Sequence, residues 1–215
     1  MNIAVLINHN LKVGGGFQQP LSVILMLSKR KSSFYNFVFL TTEKENVGFF
    51  KELNVDVEYI SIKIRIKFLF NFLLKIKKIL NKKRQLSKFD EELKKRSIDL
   101  VYFLGPYSLW KDTKLCNYIF TLHDLCHRDM MEFPEVRIHN EFERREVDYG
   151  NGMKKAIAII VDSEISKASA IKKYGLDNER ISVLPFLPCT AIRISDEEYD
   201  RNYIDIAKKY NLNRP

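Results

Sequence analysis

Cysteine is scarce in this chain, which has Cys116, Cys126 and Cys189 at no close-pair spacing. An odd number of separated cysteines argues against a disulfide framework and predicts reduced thiols, as in the cytoplasm. No Cys/His cluster has the spacing of a zinc site, and the N-terminus lacks the basic region and long apolar run of a secretory signal. We therefore predict a cytoplasmic protein without a metal ion.

Long hydrophobic runs are also missing. The longest is interrupted by Asn71, and it falls far short of the roughly 20 residues that a bilayer-spanning helix needs. The composition nevertheless supplies a full core, because 46% of the 215 residues are hydrophobic. These values predict one globular domain, with room for a short appendage.

The segment of residues 63 to 84 is rich in basic residues and contains no acidic residue. Its basic residues are Lys63, Arg65, Lys67, Lys75, Lys77, Lys78, Lys82, Lys83 and Arg84. The chain has 36 Lys plus Arg and 27 Asp plus Glu, a net charge of +9. This one segment therefore carries the entire excess of positive charge.

Helical periodicity over 67–84 separates this charge from apolar side chains. The basic side carries Lys67, Lys75, Lys78 and Lys82, and the apolar side includes Leu69, Phe72 and Leu73. Such a helix is typical of proteins that lie on an anionic membrane, so we predict peripheral binding to the inner face of the membrane. The alternative is a surface helix that packs on the core and leaves its basic face in solvent. Nucleic acid is not the expected partner, because Leu, Ile and Phe separate the charges.

Apolar runs of strand length alternate with helical patterns along the rest of the chain. The predicted strands are 3–8, 37–41, 55–66, 100–104, 118–122, 157–161 and 181–184. The predicted helices are 17–27, 43–53, 87–96, 136–156 and 164–174. This alternation predicts an α/β domain with a doubly wound, Rossmann-like parallel sheet over residues 1–194. A polar helix capped by Ser195 is predicted to follow over 195–215 and to connect to another domain.

Three consecutive glycines, Gly14, Gly15 and Gly16, follow the first predicted strand as a loop. In a doubly wound sheet, ligands bind beyond the C-terminal ends of the strands, where the connections lead into helices. Backbone amides without side chains can approach a phosphate there. The spacing is not the G-x-G-x-x-G dinucleotide fingerprint, so a flexible turn is an equally good interpretation.

Two further strand ends carry polar side chains. His123 and Asp124 follow the strand at 118–122, where the imidazole can exchange a hydrogen bond with a sugar hydroxyl and the carboxylate can orient the imidazole. A purely structural role for His123 is the alternative. Ser163 and Glu164 follow the strand at 157–161, where Ser163 is better explained as a helix cap than as a catalytic group. The dense charges of 141–146 are interpreted as a solvated helix face with internal ion pairs.

The order of these motifs resembles the N-terminal domain of a family 4 glycosyltransferase, a retaining enzyme of GT-B type. The resemblance covers nearly the whole chain. It rests on the first strand and the three glycines, on Thr-Leu-His-Asp at 121–124 and on residues 159–164. It also rests on Tyr-Gly-Leu at 174–176, Glu-Arg-Ile at 179–181 and Val-Leu-Pro at 183–185.

The resemblance implies two Rossmann-like domains around a cleft, with the acceptor held mainly by the N-terminal domain and the nucleotide sugar by the C-terminal one. It implies that the glycines lie near the donor diphosphate and that His123 lies at the reacting sugar. Arg128, Ser163 and Glu164 are further candidates for binding the donor phosphates or the acceptor.

The implied reaction is retaining transfer from a nucleotide sugar, which is a substrate rather than a cofactor. The expected acceptor is a saccharide or a lipid-linked glycan of the envelope or capsular polysaccharide type. Because the motifs of the donor-binding domain are missing, this chain alone is expected to be inactive. The alternatives are a non-enzymatic membrane-surface module with the same fold and another nucleotide-binding α/β protein.

Overall fold

The computed structural model describes residues 1–10, 15–62 and 86–186, together with 201, 203, 204, 206 and 208–211. The chain forms two compact units, Met1–Pro185 and Phe186–Pro215. In the second unit, the described residues between 201 and 210 are helical. The predicted basic helix at 67–84 and the predicted cap Ser195 lie outside the described residues.

The first unit contains a seven-stranded sheet. Its strands are β1 Asn2–Ile7, β2 Asn36–Thr41, β3 Val57–Tyr59, β4 Leu100–Phe103, β5 Asn117–Leu122, β6 Ala158–Val161 and β7 Ile181–Val183. The strand order is β3-β2-β1-β4-β5-β6-β7, and every neighbouring pair is parallel. The predicted doubly wound, Rossmann-like parallel sheet is confirmed.

Helices and short 3₁₀ turns connect the strands. The helices are α1 Gly15–Ser28, α2 Lys44–Glu52, α3 Lys88–Lys95, α4 Cys126–Asp129, α5 Pro134–Arg137, α6 Glu141–Lys155 and α7 Glu164–Tyr174. The 3₁₀ turns are Ser108–Asp112, Ile138–Asn140 and Asn178–Arg180. The Ser163 hydroxyl accepts a hydrogen bond from the Ser166 amide at 3.2 Å, which confirms Ser163 as the cap of α7.

Both faces of the sheet are buried, because successive residues of a strand point to opposite sides. In β1, Ala4 and Leu6 belong to one core cluster, and Val5 and Ile7 belong to the other. Helix α1 contributes to the second cluster, whereas α6 and α7 contribute to the first. Burial from both sides explains why these strands are continuous apolar runs in the sequence.

The chain changes direction across the sheet between β1 and β4. From β1 it proceeds to β2 and β3 at one edge, and from β4 it proceeds through β5 and β6 to β7 at the other. The connections that follow β1 and β4 therefore diverge. In doubly wound sheets this divergence leaves a crevice at the C-terminal ends of the two strands, where ligands usually bind.

The predicted strand at 55–66 is wrong in extent, because β3 covers only Val57–Tyr59. Its partner strand β2 ends at Thr41, which pairs with Tyr59. Among the described strands, residues 60–62 therefore have no neighbour along which to extend the ladder. The side chain of Ile60 is buried in the core instead, and its amide donates to the Thr41 carbonyl at 2.8 Å. Residues 63–66 lie outside the described part of the chain.

The predicted helix at 136–156 is also wrong, because α5 ends at Arg137 and α6 begins at Glu141. Between them, His139 and Asn140 each have a φ of 57°, a left-handed conformation that a right-handed helix cannot contain. Asn adopts this conformation more readily than most residues. Neither residue is Gly or Pro, so the sequence pattern carries no sign of the break.

Candidate active site

The chain leaves β1 through Asn8 and His9, at the crevice between β1 and β4. The hydroxyl of Tyr107, on the connection that follows β4, lies 3.2 Å from His9 Nδ1. The two rings also meet edge to face, with centroids 5.1 Å apart. This contact spans the point at which the connections diverge, and it joins residues 98 positions apart in sequence.

The environment of Tyr107 keeps its hydroxyl protonated. Burial raises the pKa of the Tyr107 phenol far above its usual value, so the hydroxyl keeps its proton. A hydrogen bond from the Asn8 main chain opposes this rise, and only an N–H group can stabilise a phenolate in that way. A hydroxyl that accepts from Asn8 still has its one proton available for His9 Nδ1. Burial also lowers the pKa of His9, which favours a neutral imidazole, and a neutral imidazole that accepts at Nδ1 carries its proton on Nε2.

Gly105 makes this placement of Tyr107 possible. A Cβ atom added at Gly105 would lie 2.7 Å from Cε1 of the Tyr107 ring, closer than packed carbon atoms can approach. The Tyr107 amide donates to the Gly105 carbonyl at 2.8 Å, which closes a tight three-residue turn. This turn folds the phenol back over the strand ends.

The main chain around His9 is anchored by the connection between β2 and α2. Asn46 is fully buried, and its Nδ2 donates to the His9 carbonyl at 2.8 Å and to Thr41 Oγ1 at 3.0 Å. The Thr42 hydroxyl donates to Oδ1 of Asn8. His9 is thus fixed through its backbone as well as through its ring.

His123 follows β5, the neighbour of β4, and is half-buried. Burial is the main cause that lowers the pKa of His123, and the neighbouring His9 lowers it further. Asp124, Asp162 and the main chain of Leu104 raise it, but the net shift is downward. An uncharged imidazole near pH 7 therefore lies at the same edge of the sheet as His9.

Gly15 and Gly16 form the first turn of α1, so the prediction that they belong to a loop is wrong. Gly14 lies outside the described residues. A Cβ added at Gly16 would lie 3.9 Å from His9 Nε2, and among the described residues nothing lies within 4 Å of one added at Gly15. As far as the described residues are concerned, the two glycines thus leave space beside the imidazole where α1 begins. We call His9, Gly16, Tyr107 and His123 the strand-end cluster.

Asp124 supports the turn that follows β5. Its Oδ1 accepts from the Cys126 amide at 2.9 Å, and the Arg145 guanidinium lies 3.8 Å away. Burial, together with Asp124, raises the pKa of the Cys126 thiol. A thiol that stays protonated is a poor nucleophile, so Cys126 does not fit that role.

Arg128 forms an ion pair with Glu146 of α6. Its Nε donates to Glu146 Oε1 at 2.7 Å, and its terminal nitrogen contacts Oε2. His127 Nε2 and the Tyr174 hydroxyl also contact Glu146 Oε1, at 2.8 and 2.9 Å. The hydrogen bond from Arg128 is the largest of the causes that hold the pKa of Glu146 at about 2. The structure therefore places Arg128 in an ion pair that joins α4, α6 and α7.

Ser163 and Glu164 lie at the end of β6. Besides capping α7, the Ser163 hydroxyl donates to Asp162 Oδ1 at 3.1 Å. Asp162 acts on the pKa of His123, which brings the end of β6 into the same electrostatic environment. Glu164 is the first residue of α7 and is exposed.

His9 and Tyr107 were missed in the sequence, although a signal was present for both. His9 follows the first predicted strand, and Tyr107 comes directly after the Gly-Pro pair that follows the strand at 100–104. The strand-end rule that selected His123 applies equally to these positions.

Two cavities lie elsewhere in the described part of the molecule. One of about 300 Å³ is lined by residues that include Trp110, Tyr118 and Lys155, and one of about 350 Å³ borders Arg128 and Glu146. Among the described residues, no three His, Cys, Asp or Glu side chains are placed to hold a metal ion. Within that same part of the chain, no helix has the length and apolar character needed to cross a membrane.

No protein-family model and no curated protein matches the chain, but solved structures do. Alr3699/HepE of Anabaena in complex with UDP-glucose matches with a TM-score of 0.58 and 13% identity, over 96% of this chain and 50% of that one. A glycosyltransferase from Rickettsia africae ESF-5 matches with a TM-score of 0.53 and 12% identity, over 99% of this chain and 50% of that one. Apo UGT2 of Phytolacca americana matches with a TM-score of 0.50 and 10% identity, over 95% of this chain and 54% of that one.

At these identities the likeness establishes the fold. The chain has a Rossmann-like α/β fold that matches the domains of GT-B glycosyltransferases. It spans about half the length of the solved structures named above.

Proposed function

We propose that this domain is the acceptor-side half of a glycosyltransferase that takes its sugar from a nucleotide-sugar donor. The strand-end cluster carries the proposal, because it brings two neutral imidazoles, His9 and His123, to the crevice where this fold usually binds ligands. Neutral imidazoles can exchange hydrogen bonds with sugar hydroxyls and phosphate oxygens. The complex of HepE with UDP-glucose supports a nucleotide sugar as the donor.

In this proposal His123 contacts the reacting sugar, and Asp124 orients the turn that carries it. Gly15 and Gly16 leave room for the donor phosphates. The reaction proceeds with retention, as the order of motifs in the sequence suggests, and uses no cofactor. The acceptor is a saccharide or a lipid-linked glycan of the envelope or capsular polysaccharide type.

Turnover needs a second, donor-binding domain, because transfer requires both substrates to be held in register. Residues 1–215 alone are therefore proposed to bind nucleotide sugars weakly and to transfer no sugar. The active enzyme combines this domain with a donor-binding partner, either on a longer chain or on a separate one.

We also propose that the segment 67–84 docks the enzyme on the anionic inner face of the membrane, from the cytoplasm. The support is the charge of this segment and the helical separation of its basic and apolar residues.

The test of the enzymatic proposal compares His123→Ala with His139→Ala in the assembled enzyme, with UDP-glucose as the first donor. His139 is exposed on the 3₁₀ turn between α5 and α6, so it is a matched surface control. His123→Ala should lower turnover by about 100-fold or more, the usual scale for a positioned acid–base or polar group, with little change in melting temperature. His139→Ala should leave turnover unchanged.

A folded His123→Ala variant with normal turnover would give His123 a structural role and contradict the proposal. An assembled protein that turns over no nucleotide sugar, but still binds anionic membranes, would favour a non-enzymatic membrane-surface module.

A further inference from the structure

His9 is held by two buried partners. Asn46 fixes its carbonyl at 2.8 Å, and the Tyr107 hydroxyl fixes its Nδ1 at 3.2 Å. Asn46 and Tyr107 are 0% and 6% exposed, so neither can turn away without losing core packing. A half-buried histidine held in this way keeps one orientation in the crevice between β1 and β4.

The orientation of His9 places Nε2 beside α1. When Nδ1 accepts from the tyrosine, the proton of the neutral imidazole is on Nε2, which makes Nε2 a donor. Nε2 is the atom that lies 3.9 Å from the position of a Cβ added at Gly16. A side chain larger than that of glycine at position 16 would therefore crowd the Nε2–H group.

The first turn of α1, next to this Nε2 atom, suits an anionic ligand. The first turn of α1 contains no acidic side chain, so no carboxylate of that turn competes for the Nε2–H group. A diphosphate oxygen accepts hydrogen bonds and does not donate them, whereas a sugar hydroxyl does both. A fixed donor is therefore matched better by a diphosphate than by a hydroxyl.

We propose that His9 is a substrate-binding residue whose Nε2–H donates to a diphosphate oxygen of the nucleotide sugar, and that Tyr107 is the positioning residue that fixes this tautomer. The inference rests on the proposed function, because it takes the nucleotide sugar as the ligand. It assigns separate roles to the two histidines: His9 binds the diphosphate, and His123 contacts the sugar.

The first arm of the test needs no ligand. Nitrogen NMR of the imidazoles in the chain of residues 1–215 should show His9 with a bare Nδ1 and a protonated Nε2. Tyr107→Phe keeps the ring but removes the hydroxyl, so the His9 signals should shift toward a mixture of the two tautomers. A protonated Nδ1 in the unmodified chain, or no response to Tyr107→Phe, would overturn the inference.

The second arm titrates UDP into the chain and into His9→Asn and His9→Gln variants, each checked for an unchanged melting temperature. The Gln amide can place an N–H group near the position of Nε2, whereas the Asn amide reaches only the position of Nδ1. His9→Asn should weaken UDP binding about tenfold, the scale of one hydrogen bond to a charged group. His9→Gln should restore most of it, and uridine, which lacks the diphosphate, should bind all three proteins alike.

Equal UDP affinity of His9→Asn and the unmodified chain would overturn the inference and leave the proposed function intact. The inference is also overturned if His9→Asn weakens uridine binding as much as UDP binding, or if His9→Gln does not restore UDP affinity. If neither UDP nor UDP-glucose disturbs any strand-end residue of the unmodified chain, the proposed function itself fails.

Discussion

The ion pair between Glu146 and Arg128 should contribute measurably to stability, because it joins three helices. Glu146→Gln removes the charge and leaves a side chain of the same size. The pKa of this carboxyl is about 2 in the folded protein, against an ordinary value of 4.5. That pKa difference corresponds to at most about 3 kcal/mol in the free energy of unfolding at pH 7.

Solvent reduces this upper limit. The side chains of Arg128 and Glu146 are 32% and 24% exposed, so water screens part of their attraction. We therefore expect Glu146→Gln to lower the free energy of unfolding by about 1 to 2 kcal/mol at pH 7. Because the folded-state pKa is lowered, the stabilisation is present above the unfolded pKa of about 4.5 and is lost as the pH falls from there toward 2.

Urea unfolding of Glu146→Gln, Arg128→Ala and the double variant measures this coupling. Glu143→Gln is the matched control, because Glu143 is an exposed carboxylate on the same helix; it should change the free energy of unfolding by less than about 0.5 kcal/mol. The effect of Glu146→Gln should shrink in the Arg128→Ala background. The reasoning is refuted if Glu146→Gln lowers the free energy of unfolding no more than Glu143→Gln does. It is also refuted if Glu146→Gln lowers that free energy equally with and without Arg128.

A Cβ added at Gly152 would lie 2.8 Å from the Phe120 ring, so Gly152→Ala should lower the free energy of unfolding by about 1 to 3 kcal/mol. In α2, nothing in the described part of the chain lies within 4 Å of a Cβ added at Gly48, so Gly48→Ala should raise the free energy of unfolding by about 0.5 to 1 kcal/mol. Urea unfolding that finds both variants equally stable would contradict the packing argument. Sedimentation with liposomes should show binding that grows with anionic lipid and weakens without vanishing at high salt. Changing Lys75, Lys78 and Lys82 to Glu should abolish that binding, whereas equal binding to neutral and anionic liposomes would contradict membrane docking.

The strands were predictable because a parallel sheet covered on both faces leaves continuous apolar runs in the sequence. Strand β5, Asn117–Leu122, differs from the predicted 118–122 by one residue. The extent of β3 was not predictable in the same way. Its alternating pattern continues past Tyr59, but its length is limited by β2, which ends at Thr41.

The candidate site was only partly predictable, because its members come from distant parts of the sequence. The position of His123 follows from the strand-end rule, but the pairing of His9 with Tyr107 depends on β1 and β4 being neighbours. The charged helix shows the same limit. Glu141 pairs with Arg144 and Arg145 one turn away, as predicted. Glu146 pairs with residues of α4 and α7, which local spacing does not reveal.

The central claim is that the strand-end cluster belongs to a nucleotide-sugar site, and an NMR titration of residues 1–215 with UDP-glucose tests it most directly. The account predicts that the largest amide shifts occur in the strand-end cluster and at Gly15, with millimolar or weaker affinity, since only one half of the cleft is present. Unchanged signals in the cluster, or shifts confined to the cavity lined by Trp110 and Lys155, would contradict the claim.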